Sequence, residues 1–234
     1  MSDAGAKEFW ESRIERWDDY RHDNKLTVKG LPCLFTRNPQ NSLEFRYKVL
    51  KEHLAQYVKG KRVVEFGCGT GRLAAETINL GAAFYEGYDI AENAINRARE
   101  REKNISLKDK MIFHRADVID IDAVKADFVF STGFIPCLSD QALDHLFKIS
   151  NDIDFFHISI EPKPGLHEIF HNLYRHISGA HKFQGIRRPV DDIFETLKNN
   201  GCKKLHVYRH QNLGSLVCYS NLPFPAGQAS NSLR

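Results

Sequence analysis

The sequence predicts an α/β protein in which a largely parallel sheet carries helices on both faces. Three observations predict it. The apolar run Val63-Val64-Glu65-Phe66 stops at Gly67-Cys68-Gly69-Thr70-Gly71, three glycines spaced two apart, and this reads as strand, tight turn and helix. Beyond that turn, apolar strand-like runs alternate with helical periods, the pattern of right-handed strand-helix-strand crossovers. Near the end of the chain, two short apolar runs flank Asn212-Leu213-Gly214 and read as an antiparallel pair closing the sheet.

The bulk properties bound the class. A chain of 234 residues, 42% hydrophobic and 27% charged, suits one globular domain with a full core. No apolar run approaches the roughly 20 residues that span a bilayer, so no membrane partner is expected. The start, Met1-Ser2-Asp3-Ala4-Gly5, lacks the basic and apolar parts of a secretory signal, and a cytoplasmic protein is expected. Five scattered cysteines with no C-x-x-C pair read as reduced thiols. The net charge of +3 comes from interspersed signs, and the basic clusters at 97–103 and Arg187-Arg188 are too short for a nucleic-acid footprint.

Taken in order, residues 1–40 form an N-terminal segment. Phe9, Trp10, Ile14 and Trp17 fall at helical spacing between Lys7 and His22, and Asn24 to Gln40 reads as an ordered loop or lid. The main domain is expected over 41–221. Asn41-Ser42-Leu43-Glu44 offers an N-cap, and Phe45, Val49, Leu50, Leu54 and Val58 carry a helical stripe to Gly60. After the glycine turn a helix is expected from Thr70 to Leu80, then a strand over 83–88 ending at Asp89, a helix over 91–104, and a short strand over 110–114 leading to Asp117. Next come a strand over 126–130 followed by Ser131-Thr132-Gly133, a helix capped by Ser139 or Asp140, and a buried strand over 155–160 ending at Glu161. A helix over 166–178 and another opened by Pro189 precede the antiparallel pair, at 204–209 and 215–219. The tail, 222–234, is rich in Pro, Gly, Ser and Asn and is expected to be disordered.

The chemistry concentrates at the glycine turn. Glycine serves where the backbone takes positive φ or comes close to a ligand, and here it opens an expected helix with unpaired amides. The spacing is not the Gly-x-Gly-x-x-Gly of dinucleotide turns, and Glu65 beside it would repel a pyrophosphate. A ligand with cationic and hydroxyl groups suits it better. Asp89 lies about 20 residues beyond the glycines, where an acidic side chain in this architecture accepts hydrogen bonds from ribose hydroxyls.

These residues, in this order, resemble the class I S-adenosylmethionine-dependent methyltransferases over about 41–221. The resemblance implies a Rossmann-like sheet of seven strands in the order 3-2-1-4-5-7-6 with an N-terminal helical lid. It implies S-adenosylmethionine as cofactor, with Glu65, Gly67, Cys68 and Gly69 around the methionine moiety, Asp89 on the ribose, and Ile90 beside the adenine. Asp117 and Val118 match the position that meets the adenine amino group, and Ser131 the position that meets the methionyl amine. Arg46 and Tyr20 precede the turn, where related enzymes place a partner for the donor's carboxylate. The Asn/Asp-Pro-Pro-Tyr motif of amide and nucleobase methylation is replaced by Ser131-Thr132-Gly133-Phe134-Ile135-Pro136, which disfavours those acceptors.

A small-molecule acceptor is therefore expected, methylated on oxygen or nitrogen by a monomer or homodimer, with no nucleic-acid partner. Five of the eleven histidines fall between His157 and His181. His167, His171 and Glu161 are the candidate bases for removing the acceptor's proton. Trp10, Trp17 and Tyr20 are candidate pocket aromatics, although aromatics at helical spacing commonly serve packing. His167-Glu168-Ile169-Phe170-His171 also fits the zinc signature H-E-x-x-H, but a third ligand is needed and Glu195 is the sole downstream glutamate, so no metal is expected. A methyltransferase acting on protein or RNA, a zinc hydrolase, and a donor-binding protein without catalysis remain the alternatives.

Overall fold

The computed structural model describes residues 10–11, 39–103, 107–162, 185–226 and 231–233. The strands are β1 (Arg62–Phe66), β2 (Phe84–Asp89), β3 (Met111–Arg115), β4 (Phe128–Thr132), β5 (Asp154–Ile160), β6 (Leu205–Tyr208), β7 (Leu216–Ser220) and β8 (Asn231–Leu233). They form one sheet in the order β3-β2-β1-β4-β5-β7-β6-β8. The expected order of seven strands is present, and β8 extends it by one. Pairs among β1 to β5 are parallel, while β7 joins β5 and β6 antiparallel.

The sheet is apolar on both faces because helices cover both, as parallel strands require. On one face, α1 (Pro39–Tyr57), α2 (Ala74–Asn79) and α3 (Glu92–Lys103) pack against it. Val49, Leu50 and Leu54 of α1 meet Val63, Phe128 and Phe156 there, the helical stripe expected from the sequence. On the other face, α4 (Asp140–Ile149) and α5 (Val190–Asn199) cover Val64, Phe66, Val129 and Phe155. Ser139 caps α4 by accepting a hydrogen bond from the Ala142 amide at 3.2 Å, a contact worth about 1 kcal/mol. Leu146 on its inner face is fully buried, for about 2 kcal/mol more.

Two elements depart from the sequence reading, each for a local reason. The helix expected from Thr70 starts at Ala74, because Gly71 at φ 70° cannot be helical and the chain turns until that glycine is passed. Strand β4 runs two residues past Phe130, since Ser131 and Thr132 pair in register with His157 and Ile158 of β5. Between β3 and β4 the crossover is not an α-helix but residues 116–127, with one 3-10 turn at Val118–Asp120. The strands beside it accordingly carry polar groups: Glu86 accepts hydrogen bonds from Arg62 and Tyr88, both at 2.6 Å, and lies 3.0 Å from His114.

The start of the tail, 222–226, is tied to the core. Asn221 accepts from the Phe155 amide at 2.8 Å, Tyr57 donates to the Pro223 carbonyl at 2.7 Å, and Phe224 is 8% exposed. The Phe224 ring contacts His53, Phe156 and Tyr208 with centroids 5.3 to 6.1 Å away. Strand β8 pairs with β6, which would otherwise present an open edge. Loop-forming composition says nothing about a single aromatic anchor. Phe224→Ala should lower unfolding stability by about 3 kcal/mol in urea denaturation, whereas an unanchored tail would leave the midpoint unchanged.

Candidate functional site

The cleft forms where β1, β2, β3 and β4 end side by side, at the point between β1 and β4 where the strand order reverses. Gly67, Gly69 and Gly71 have φ of 71°, 53° and 70°. A Cβ on Gly67 would stand 2.7 Å from the Phe134 ring, so the turn requires glycine there for both conformation and space. The amides expected to be unpaired are engaged: Gly67 and Cys68 donate to the Tyr88 carbonyl at 2.8 and 3.0 Å, and Gly69 donates to Asp89 Oδ2 at 2.8 Å. The end of β2 therefore holds the turn.

Asp89 does two things at once. Each carboxylate oxygen accepts one backbone amide, Gly69 on Oδ2 and Ala91 on Oδ1 at 2.9 Å, and both keep capacity for a further donor. Burial raises its pKa above the ordinary value and the amides oppose that rise. Ile90, Asp117 and Val118 continue the same wall, and Asp117 caps the short turn after β3 through the Ile119 amide at 3.3 Å.

Glu65 is 2% exposed and faces the cleft. Burial pushes its carboxyl up to about 8, with the Tyr85 hydroxyl bond opposing and Asp89 reinforcing the shift. Near neutral pH it is therefore protonated. Arg46 of α1 is 4% exposed, lines the same cleft, and its buried Nε has no hydrogen-bond partner among the described residues. Its Nη1 lies 3.8 Å from where a Cβ on Gly133 would stand, so it faces the end of β4. A buried guanidinium nitrogen without an acceptor fits a carboxylate-bearing ligand.

The structure thus gathers Arg46, Glu65, Gly67, Cys68, Gly69, Asp89, Ile90, Asp117 and Val118 around one cleft. Ser131 is placed elsewhere. Strand alternation turns it to the face of Val129, where it is fully buried and its Oγ lies 2.9 Å from His157 Nδ1, while Thr132 and Gly133 line the cleft in its stead. Glu161 is engaged as well: the Arg209 guanidinium meets its carboxylate at 3.1 to 3.3 Å, away from the cleft wall. His157 is buried, stacks on Phe155 at 5.2 Å, and burial lowers its pKa to about 3, in keeping with a structural role. Tyr20, Trp17, His167, His171 and the H-E-x-x-H segment lie outside the described residues. Among the described residues no three metal-ligating side chains gather.

Several lining residues escaped the sequence reading. Tyr88 precedes Asp89, and its ring stacks between Phe66 and His114 while its carbonyl holds the turn. Phe134, Cys137 and Leu138 come from the loop after β4. Only the positive φ at Gly133 marks that loop in advance, as a glycine beside an aromatic. Trp10, a pocket aromatic expected from the sequence, lines the cleft and packs on Ala91 and Ala94, while Glu11 accepts from the Glu92 amide at 2.8 Å. Trp10 and Glu11 thus lie beside the end of β2 and the start of α3.

Residues 63–152 match the family model described as a methyltransferase domain. The ribosomal protein L11 methyltransferase of Escherichia coli is 37% identical over 116 residues, 48% of this chain and 38% of that protein. The chain spans less than two fifths of the length of the first curated relatives it matches. Among solved structures, the magnesium protoporphyrin IX methyltransferase of Synechocystis with bound S-adenosylmethionine superposes with a TM-score of 0.64 at 16% identity, covering 94% of this chain and 97% of that one. A Thermotoga maritima structure described as a possible histamine N-methyltransferase gives 0.60 at 14% identity, covering 92% and 98%. At such identities the likeness is one of fold.

The buried Glu65 makes stability depend on pH. Its folded pKa, about 8, exceeds its ordinary 4.5, so the stability it contributes is full below pH 4.5 and is lost as pH rises through 8. Wild type should therefore lose stability relative to the non-titrating Glu65→Gln between pH 5 and 8 in parallel denaturation curves. A constant difference across that range would contradict the burial argument.

Proposed function

We propose that this chain, whose residues 63–152 match a methyltransferase domain, is a class I S-adenosylmethionine-dependent methyltransferase and methylates an oxygen or nitrogen of a small molecule. The observation that carries the reading is the layout of charge in the cleft. The Asp89 carboxylate at the end of β2 lines the cleft, the buried Nε of Arg46 on α1 has no acceptor among the described residues, and a buried carboxyl at the end of β1 lies where a cation would ionise it. Ribose, carboxylate and ammonium or sulfonium are the complementary groups, and S-adenosylmethionine has all of them.

When bound, S-adenosylmethionine supplies a methyl group already activated on sulfur. The chain's own task is alignment and exclusion of water, which bring most of the acceleration in a displacement of this kind. Asp89 accepts from the ribose hydroxyls while its amide bonds keep it rigid. Ile90 and Val118 give the adenine apolar contact, and Asp117 accepts from its amino group. Arg46 holds the carboxylate, and Glu65 gives up its proton to face the positive end. Gly67 to Gly69 let the backbone come close to the methionine moiety. A base for a hydroxyl or ammonium acceptor is assigned to the segment carrying His167 and His171, since Glu161 is already paired with Arg209. Tyr20 and the N-terminal segment, with Trp10 on the cleft wall, form a lid over the acceptor. The protein works in the cytoplasm as a monomer or homodimer.

A protein acceptor is the second reading, favoured by the names of the curated relatives. A screen of small-molecule extracts and of cell protein with radiolabelled donor separates the two by where the label settles. For the donor site itself, calorimetry with S-adenosylhomocysteine should show at least tenfold weaker binding in both Asp89→Ala and Arg46→Met, and unchanged affinity in Asp89→Ala would remove the assignment. Single-turnover rates at saturating donor should fall about 100-fold or more in His167→Ala or His171→Ala. Wild-type rates in both would sink the base.

A further inference from the structure

Arg188 lies outside the cleft and no part of the proposed chemistry uses it, yet it is only 5% exposed. A buried guanidinium requires partners, and this one has four contacts on a single stretch of chain. Nη2 donates to the Leu138 carbonyl at 2.7 Å and to Asp140 Oδ1 at 2.8 Å, Nε to the same Asp140 oxygen at 3.1 Å, and Nη1 to the Ile135 carbonyl at 3.3 Å. Its backbone is tied too: the Arg188 amide donates to the Ile160 carbonyl at 3.1 Å, and the Ile186 amide to the Pro136 carbonyl at 2.7 Å.

The clamped stretch is the far wall of the cleft. Phe134, Cys137 and Leu138 line it, and the Phe134 ring presses on Gly67 of the glycine turn. Ile135 and Leu138 anchor the stretch in the apolar core, but its internal polar bonds are all local: the Cys137 amide donates to the Phe134 carbonyl at 2.8 Å, the Leu138 amide to the Ile135 carbonyl at 3.2 Å, and the Cys137 thiol to the Gly133 carbonyl at 3.4 Å. The Asp140 carboxylate is solvent-exposed, so water screens that half of the ion pair. The hold therefore rests chiefly on the two carbonyls, which a planar fork can bridge and a point charge cannot.

We propose that Arg188 is a positioning residue for the donor site: it latches the 135–140 stretch, and through Phe134 the glycine turn, to the chain that returns after β5. The proposal rests on the methyl-donor reading for its ligand, but not for the latch itself. Cys137 reports the latch independently, because its half-buried thiol on the cleft wall is tied to the Gly133 carbonyl and its pKa is pushed up to about 12, so that it reacts slowly while the loop is held.

The experiment compares wild type, Arg188→Met and Arg188→Lys. Each is labelled with N-ethylmaleimide in the absence of ligand and read cysteine by cysteine by mass spectrometry, and each is titrated with S-adenosylhomocysteine. The methionine variant should label Cys137 at least tenfold faster while fully buried Cys218 keeps its wild-type rate, and should bind about tenfold more weakly. The lysine variant should fall between the two. Unchanged Cys137 labelling overturns the latch, as does equal acceleration at Cys218, which would mean global loosening. Faster Cys137 labelling with unchanged affinity overturns the positioning role. A wild type that does not bind S-adenosylhomocysteine at all refutes the donor reading instead, and the labelling still decides the latch.

Discussion

The bonds between the end of β2 and the glycine turn are what the rest of the site depends on. The Tyr88 carbonyl takes the amides of Gly67 and Cys68, and the Asp89 carboxylate takes that of Gly69. A turn with three positive-φ residues has high intrinsic freedom, and fixing it costs about 1 to 2 kcal/mol per residue in backbone entropy. Those three bonds, together with the parallel pairing of Phe66 with Tyr88, offset that cost. They also mean that the turn and the Asp89 carboxylate form one rigid unit. A change at the end of β2 is felt at the turn without any ligand between them.

Burial of charge shapes the same region. Glu65 sits where its ionised form is disfavoured, beside a second carboxylate, and stays protonated near neutral pH. Arg46 sits buried with one nitrogen lacking a partner. Both are unfavourable arrangements in a core built for stability alone, and both become favourable with a zwitterionic, cationic ligand in place. Local cost at a site of this kind is carried by the surrounding packing, here the fully buried Val63, Val64 and Phe66 of β1.

The two helical layers serve the site differently. The face of α1, α2 and α3 is an apolar support from which the buried Arg46 reaches the cleft. The face of α4 and α5 reaches the cleft through Ala142 and through the loop after β4, and that loop is constrained by a returning segment bound at Ile186 and Arg188. Where the crossover between β3 and β4 lacks an α-helix, the strand face is closed by the Arg62, Glu86, Tyr88 and His114 contacts instead, and Tyr88 carries that support back to the turn.

The sequence alone was enough for the architecture and for most of the named residues that line the cleft. Parallel strands buried on both faces, helices with a clear apolar stripe, glycines at forced φ and acidic residues at strand ends are local signals, each readable from a few neighbours in the chain. The strand order implied by the resemblance to class I methyltransferases is present, and the family match over 63–152 bears that resemblance out. Tertiary structure decided what local signals cannot carry. Two more residues of pairing in β4 turned Ser131 toward His157 and gave the cleft Thr132 and Gly133. Arg209 engaged Glu161, Phe224 anchored a tail whose composition suggested disorder, and Arg188 closed a loop 50 residues before it on the chain. Each outcome depends on which distant group lies opposite, and a spacing rule has no access to that.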